Sequence, residues 1–207
     1  MSRPSYRIRP YPIMVDPNFK VVDKAFPRNF VQYIRDLGDD YIEKKGSLPG
    51  RVGYNEDSRV SKDRREAETQ WFPFPWDDER TVPIYEAVEE VVQQANALHW
   101  QYDLTDYFDM FHYIRYVAPT GHFTWHRDSG DQWRRVHRKI SCAVILSDPE
   151  EYEGGHFQYF DGDEMTVNTR QAGDMIVFPA YLQHRVTPVT KGVRRSMVCW
   201  AGGPKLR

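Results

Sequence analysis

From residue 108 onward the chain has the sequence pattern of a series of short β-strands. These stretches are rich in β-branched and aromatic residues, and turns such as Asp161-Gly162-Asp163 separate them. They cover residues 108–117, 139–147, 155–160, 165–169, 174–180 and 194–201. Because no helical stretch interrupts them, they predict an antiparallel sandwich or barrel.

The first half of the chain has helical periodicity instead. Apolar residues recur every three or four positions in 27–45 and again in 83–98. A helical half followed by an all-β half predicts an α+β fold: a double-stranded β-helix (a cupin-like jelly roll) with the N-terminal helices packed on one sheet. We expect a single domain over residues 1–207, in which 1–107 form a helical support and 108–202 form the jelly-roll core.

Between the two helices lies a segment, residues 46–80, that is rich in Gly, Pro and charged residues. This composition predicts irregular surface structure, and irregular segments of such length are usually functional. It also contains aromatic residues that are costly to leave in water, among them Trp71 and Phe74. We therefore interpret 46–80 as a lid over an active site. The alternative is that its aromatic residues pack on the sheet as a fixed plug.

The composition restricts the classes of partner. A net charge of −2 and a pI near 6.4 give no general attraction to nucleic acid or to anionic membranes. The sequence has no apolar stretch long enough to cross a bilayer, and its first residues do not resemble a signal peptide. Cys142 and Cys199 lie in apolar runs typical of buried thiols. We expect a cytoplasmic protein without a membrane partner.

The stretch FTWHRDSGD places His126 and Asp128 two positions apart. On an extended strand these two side chains share one face. Such a pair alone is more often a polar surface pair than a metal site, so a third ligand is needed, and His184 is the best candidate. Two imidazoles and one carboxylate form the facial triad of non-haem Fe(II) oxygenases.

A helical zinc site formed by His122 and His126 is the alternative metal site in this region. Gly121 and the aromatic residues that follow it oppose a helix, and no glutamate follows His122 as a zinc-protease pattern requires. We interpret His122 and the remaining His112 as surface or core histidines.

A charged side chain interrupts an apolar strand near the C-terminus. Arg194, Ser196 and Trp200 are separated by even numbers of residues, so they share one strand face. A buried arginine is costly unless it meets an anion, and guanidinium suits a carboxylate. Arg195 points to the opposite face, where we expect an inter-strand salt bridge.

These motifs resemble a known family, the Fe(II)/2-oxoglutarate-dependent dioxygenases, and within it the prolyl 4-hydroxylase group of PKHD-type hydroxylases. The stretch HRVTPVTKGVR is similar to that group's signature around its second metal-binding histidine. RYVAPTGHFTWHRD resembles the run that leads to its His-x-Asp pair, and RKISCAVILSDPEEYEGGHFQYF is similar to its strand and Gly-Gly hairpin. The resemblance covers roughly residues 100–202.

The resemblance implies roles for particular residues. The iron ligands would be His126, Asp128 and His184. Arg194 would bind the distal carboxylate of 2-oxoglutarate, with Ser196 adding a hydrogen bond and Tyr116 contacting the cosubstrate. The implied cofactors are Fe(II), 2-oxoglutarate and O2, with ascorbate as reductant. Ile145 departs from the pattern, because several relatives have a tyrosine there that reaches the distal carboxylate.

Three functions stay open for such a chain. The first is hydroxylation of a protein or peptide, as in the prolyl 4-hydroxylases that it resembles. The second is the same chemistry on a free amino acid or another small metabolite, and the third is a non-enzymatic cupin-like binding module. The family's substrate motif in the lid is matched here only by Arg65, with Trp71 as a further substrate residue. A nucleobase substrate is disfavoured, because Trp200 stands where the repair enzymes carry a second arginine.

Overall fold

The computed structural model describes residues 19–52, 59–131, 133–169 and 171–205. Two helices, α1 (Arg28–Lys45) and α2 (Val82–His99), precede most of the strands. The strands in chain order are β1 Lys20–Val22, β2 Leu48–Pro49, β3 Arg51–Val52, β4 Arg59–Val60, β5 Arg65–Glu66, β6 Glu68–Phe72, β7 Phe111–Val117, β8 His122–His126, β9 Arg138–Ile145, β10 Tyr152–Gly154, β11 Phe157–Phe160, β12 Glu164–Thr166, β13 Met175–Pro179, β14 His184–Val186 and β15 Val189–Gly202.

The strands form two facing antiparallel sheets. The main sheet has the order β1-β13-β9-β15-β7-β6-β2, with β10 also pairing β15. The minor sheet has the order β12-β11-β14-β8-β5. The ribbon of β3 and β4 is separate from both. The predicted jelly roll with helices on one sheet is confirmed.

The main sheet is buried on both faces, which explains why its strands are almost continuously apolar. One face carries Tyr113, Cys142 and Met197, and these pack in one cluster with apolar residues of both helices. The opposite face carries residues such as Ile114 and Phe178, which pack toward the minor sheet. Successive residues of each strand therefore contribute alternately to the helical core and to the interior of the jelly roll.

The helices follow the predicted periodicity. In α1 the buried apolar positions include Ile34, Leu37 and Tyr41, and the helix ends before Gly46, whose φ of 79° a side chain rarely adopts. In α2 the buried face includes Ile84 and Val88. Neither helix is long and apolar enough to cross a membrane, and the same holds for every helical segment that the structure describes.

The prediction of irregular structure over 46–80 is wrong for part of that segment. Residues Glu68–Phe72 form a strand of the main sheet that pairs with β7, and Arg65–Glu66 pair with β8 of the minor sheet. The Gly and Pro content of the segment hid this strand, because β6 itself contains Thr and aromatic residues that suit a sheet. Residues 53–58 of the segment lie outside the described residues.

Gly38 shows how closely α1 packs on the main sheet. A β-carbon at this helical glycine would lie 2.6 Å from the ring of Tyr113, which is fully buried. Helix propensity alone predicts that Gly38→Ala stabilises the fold by about 1 kcal/mol. Because the ring cannot move away, we expect Gly38→Ala to destabilise it by roughly 1–3 kcal/mol instead. Urea denaturation followed by circular dichroism measures this change, with Glu43→Ala on the exposed face as control. A stabilised Gly38→Ala variant would contradict the packing described here.

Candidate functional site

Three metal-binding side chains meet where the minor sheet faces the interior. His126 ends β8, His184 begins β14, and the pairing of these strands places the two histidines directly opposite each other. Asp128 lies two residues beyond the end of β8, held by a hydrogen bond from its backbone N–H to the carbonyl of Ala180. The nearest approach of an Asp128 carboxylate oxygen to each imidazole Nε2 is 3.6 Å. The three candidate ligand atoms all lie within 4.8 Å of one another.

Backbone carbonyls fix the orientation of both imidazoles. Nδ1 of His126 lies 2.8 Å from the carbonyl oxygen of Thr124, and Nδ1 of His184 lies 2.9 Å from that of Leu182. Because a carbonyl oxygen only accepts, Nδ1 is the protonated nitrogen in each ring. Each Nε2 therefore presents a lone pair to the centre of the site, as a metal ligand must.

The electrostatic environment favours the protonation states that a metal ion needs. Burial, together with the neighbouring His184, lowers the pKa of His126 to about 3. Burial acts to raise the pKa of Asp128, but the two imidazoles and Arg138 outweigh it and hold that pKa below its ordinary value. At neutral pH the site therefore offers a neutral imidazole and an ionised carboxylate without releasing a proton. This donor set, two imidazoles and one carboxylate, fits Fe(II).

Arg194 lies in the same cavity as the candidate ligands and is 2% exposed. Its Nη1 donates to Ser196 Oγ at 3.2 Å, and its guanidinium lies 5.6 Å from the ring centre of Tyr116. Among the described residues, Nε of Arg194 has no hydrogen-bond partner and no carboxylate forms an ion pair with the guanidinium. A buried guanidinium that has no carboxylate partner is a binding site for an anion.

Two neighbours define the shape of the anion pocket. Gly155 has a φ of 59°, and a β-carbon there would lie 2.7 Å from the Arg194 side chain, so only glycine leaves room for the arginine. Ile145 is opposite Ser196 in the sheet and is buried in the apolar cluster between the sheets. The polar contacts of the pocket therefore come from Arg194, Ser196 and Tyr116.

Arg195, one residue further along, points to the helical side of the main sheet. Its guanidinium lies 3.4 Å from Asp39 of α1 and 3.8 Å from Glu151. Strand alternation alone separates the partly exposed ion pair of Arg195 from the buried pocket of Arg194. Arg195 thus forms a salt bridge as expected, but its partners lie on α1 and on the turn before β10 and not on a neighbouring strand, because this face of the main sheet is covered by the helix.

The two substrate residues suggested by the sequence differ in position. Arg65 on β5 lines the cavity, is buried, and has its guanidinium 4.7 Å from the ring of Phe123. Trp71 on β6 is not among the residues that line the cavity. It stacks behind His112 with the ring centres 3.9 Å apart.

The structure brings to the site two candidate residues that the sequence motifs did not single out. His112 lines the cavity, and its even spacing from Tyr116 on β7 was the signal that could have placed it there. Arg135 donates through Nε to the Asp128 carbonyl at 3.0 Å and through Nη2 to the carbonyls of Arg127 and Ser129. No sequence pattern indicates this guanidinium, which holds three successive carbonyls around the carboxylate ligand.

The cavity is partly open and contains about 500 Å³ of space between protein atoms, part of it continuous with solvent. Apolar residues such as Phe157 and Val198 form most of its walls. The polar groups that line it are few and are grouped around the candidate ligands and Arg194, an arrangement typical of an enzyme site.

A protein-family model matches the strand-rich part of the chain that contains the site. Residues 111–202 match the model of the 2OG-Fe(II) oxygenase superfamily. This match includes all three candidate ligands and Arg194.

Sequence relatives agree with that assignment. A PKHD-type hydroxylase of Aliarcobacter butzleri is 46% identical over 65 residues, which cover 30% of this chain and 27% of the relative. PKHD-type hydroxylases of Nitrosomonas europaea and Variovorax paradoxus are each 36% identical, over 85 and 91 residues. The first of these alignments covers 39% of this chain and 37% of the relative, and the second covers 42% and 40%. The chain thus spans well under half the length of these curated relatives.

Solved structures share the fold over most of the chain. A Pseudomonas putida prolyl-4-hydroxylase matches with a TM-score of 0.72 and 20% identity, over 90% of this chain and 93% of that one. A Trichoplax adhaerens prolyl hydroxylase, solved with a peptide fragment, matches with a TM-score of 0.75 and 12% identity, over 91% and 85%.

The fold and the site together define the jelly-roll core as a double-stranded β-helix that carries a candidate metal centre. Residues 111–202 are similar to the 2OG-Fe(II) oxygenase superfamily, and the sequence relatives are PKHD-type hydroxylases. The resemblance drawn from the sequence motifs is thereby confirmed.

The position of Arg135 generates a prediction about metal binding. Its contacts with the 127–129 carbonyls orient the Asp128 carboxylate, and the loss of such supporting contacts typically weakens metal affinity by about 10–100-fold. We expect Arg135→Leu to bind Mn(II) about tenfold or more weakly in calorimetric titration. Arg134→Leu, which removes the neighbouring charge, is the matched control and should stay within about threefold of the parent protein. Equal affinities for the two variants would show that the carbonyl contacts do not support the ligand.

Proposed function

We propose that this protein is an Fe(II)- and 2-oxoglutarate-dependent dioxygenase that hydroxylates a protein or peptide, in the manner of a prolyl 4-hydroxylase. The observation that carries this proposal is the presence of the His126-Asp128-His184 cluster and the buried Arg194 in one cavity. The facial triad leaves open positions on iron, and the arginine supplies a site for a dicarboxylate. The cofactors would be Fe(II), 2-oxoglutarate and O2, with ascorbate as reductant.

Different residues of the cavity have different roles in the proposed function. His126, Asp128 and His184 would hold the metal, and Arg194 with Ser196 and Tyr116 would bind the distal carboxylate of 2-oxoglutarate. Iron, when bound, supplies the activation of O2 that couples decarboxylation of 2-oxoglutarate to oxygen insertion into a C–H bond. The protein's own contribution is to orient the cosubstrate and to exclude water with apolar walls such as Phe157.

A peptide substrate is supported by the relatives. The prolyl hydroxylase of Trichoplax adhaerens, which shares the fold, was solved with a peptide fragment, and the sequence relatives are named hydroxylases. The cavity of this chain is partly open to solvent, which suits a peptide that enters from the surface. The lid function of segment 46–80 stays a prediction, and Arg65 within it would meet the substrate.

A small carboxylated substrate is the second candidate, and one observation favours it. Arg65 is buried and lines the cavity, so two guanidiniums are present where the cosubstrate needs one. The second could bind the carboxylate of a free amino acid or another metabolite. The cupin-like binding module is the third alternative, and it predicts metal binding without turnover.

Turnover separates these functions. Protein supplied with Fe(II), ascorbate and 2-oxoglutarate should form succinate, and proline-rich peptides should raise the rate more than free amino acids do. Asp128→Ala should reduce succinate formation to background because the metal loses its carboxylate ligand. Asp131→Ala, on the exposed part of the same loop, is the control. Undiminished succinate from Asp128→Ala would refute the ligand assignment, and none from the parent protein would favour a binding module.

The cosubstrate pocket can be tested with two adjacent arginines. Arg194→Ala removes a charge-assisted contact and should weaken 2-oxoglutarate binding by about 2–5 kcal/mol, roughly 30-fold or more. Arg195→Ala should lower the melting temperature through the lost ion pairs while leaving the KM for 2-oxoglutarate within about threefold. Steady-state kinetics and thermal unfolding of both variants measure this. Similar KM increases in the two would mean that the pocket lies elsewhere.

A further inference from the structure

His112 supplies a third imidazole to the cavity, in addition to those of the candidate ligands His126 and His184. His112 is on β7, is 4% exposed, and lines the cavity together with Ile114 and Tyr116 from the same strand face. It is not one of the three residues that form the metal-binding cluster. Its role is therefore separate from metal coordination.

The ring of His112 is held in one orientation, and its Nε2 is unsatisfied. Trp71 stacks on it with an interplanar angle of 9°, and Trp200 lies 6.4 Å from its centre. Within the described part of the chain, Nε2 is buried and has no hydrogen-bond partner. A buried polar atom in this condition costs folding free energy, whereas a leucine would fill the same space without that cost. A rigid, unsatisfied nitrogen on a residue that lines the cavity indicates a ligand that completes it.

The sheet register separates His112 from the pocket for 2-oxoglutarate. Tyr116 is opposite Arg194, whereas His112 is opposite Val198, four residues further along β15. At about 3.3 Å per residue, this displacement is ~13 Å along the strand. The five-carbon cosubstrate, anchored at Arg194, is too short to reach that far beyond its own carboxylate. The partner of His112 is therefore a group of the second substrate.

The surroundings of His112 restrict the charge of that group. Burial, followed by the positive charges of Arg65 and Arg138, lowers the pKa of His112 well below its ordinary value, so the ring is neutral. A neutral imidazole in a positive environment disfavours a cationic partner. It also gives an anion less stabilisation than the guanidiniums do. An uncharged hydrogen-bonding group suits it best.

We propose that His112 is a substrate-binding residue whose Nε2 forms a hydrogen bond with an uncharged amide group of a peptide substrate. This inference rests on the proposed function and deepens it, because it distinguishes a peptide, which presents amides beside the reacting residue, from a free amino acid, which presents charges. The stacking on Trp71 keeps Nε2 directed at that group before the substrate arrives, which reduces the entropy cost of binding.

The test uses a small amide probe and no turnover. The full-length protein is loaded with Zn(II) and 2-oxoglutarate, and N-acetyl-L-proline methylamide, a proline flanked by two amides, is titrated in by ligand-observed NMR. The variants are His112→Leu, which keeps the volume, His112→Gln, which keeps hydrogen bonding, and His99→Leu on α2 as a remote control. The affinity for 2-oxoglutarate is measured in each sample.

The parent protein should bind the probe, and His112→Leu should bind it about 5- to 10-fold more weakly, as expected for one lost hydrogen bond. His112→Gln should recover part of the loss, and His99→Leu should behave like the parent. All four proteins should bind 2-oxoglutarate equally. The proposal is overturned if the parent does not bind the probe, if His112→Leu binds it undiminished, or if His112→Leu loses 2-oxoglutarate to the same extent. Failure of the parent to bind 2-oxoglutarate would instead overturn the proposed function.

Discussion

The structure depends on the burial of the main sheet on both of its faces. Each strand packs against the helices with one face and against the minor sheet with the other. Alternate side chains along the strand point to one face or to the other. Arg194 and Arg195 illustrate the division. One lies in the cavity and the other forms ion pairs on the helical side, although they are adjacent in the chain. The helices stabilise the outer face and so allow the inner face to carry polar groups that cost stability.

The charged and polar groups of the candidate site influence one another's protonation states. The Asp128 carboxylate lies against two imidazoles, and the neutral His126 ring, the ionised carboxylate and the buried arginines leave a cavity suited to a cation and a dianion. Binding of both would satisfy groups that are otherwise costly to bury. The cavity is thus preorganised at the expense of stability, which is common at functional sites.

Support for the ligands comes from beyond the cluster itself. Thr124 and Leu182 orient the imidazoles through their carbonyls, and Arg135 holds the backbone around Asp128. His112 is fixed by stacking in the same way that the metal ligands are fixed by hydrogen bonds. A site built in this manner loses metal affinity when a supporting contact is removed, even though that contact does not itself reach the metal.

The sequence by itself determined the fold class and the candidate ligands, because strand periodicity and the His-x-Asp, His and Arg-x-Ser motifs are local. Even spacing was sufficient to place Arg194 and Ser196 on one face. Only the tertiary structure decided that residues 65–66 and 68–72 form strands, since their partners on β7 and β8 lie 39 to 58 residues away in the chain. It likewise decided that Arg135 supports Asp128 and that Trp71 lies behind His112. Contacts of this kind depend on how the chain closes on itself, and no local pattern encodes them.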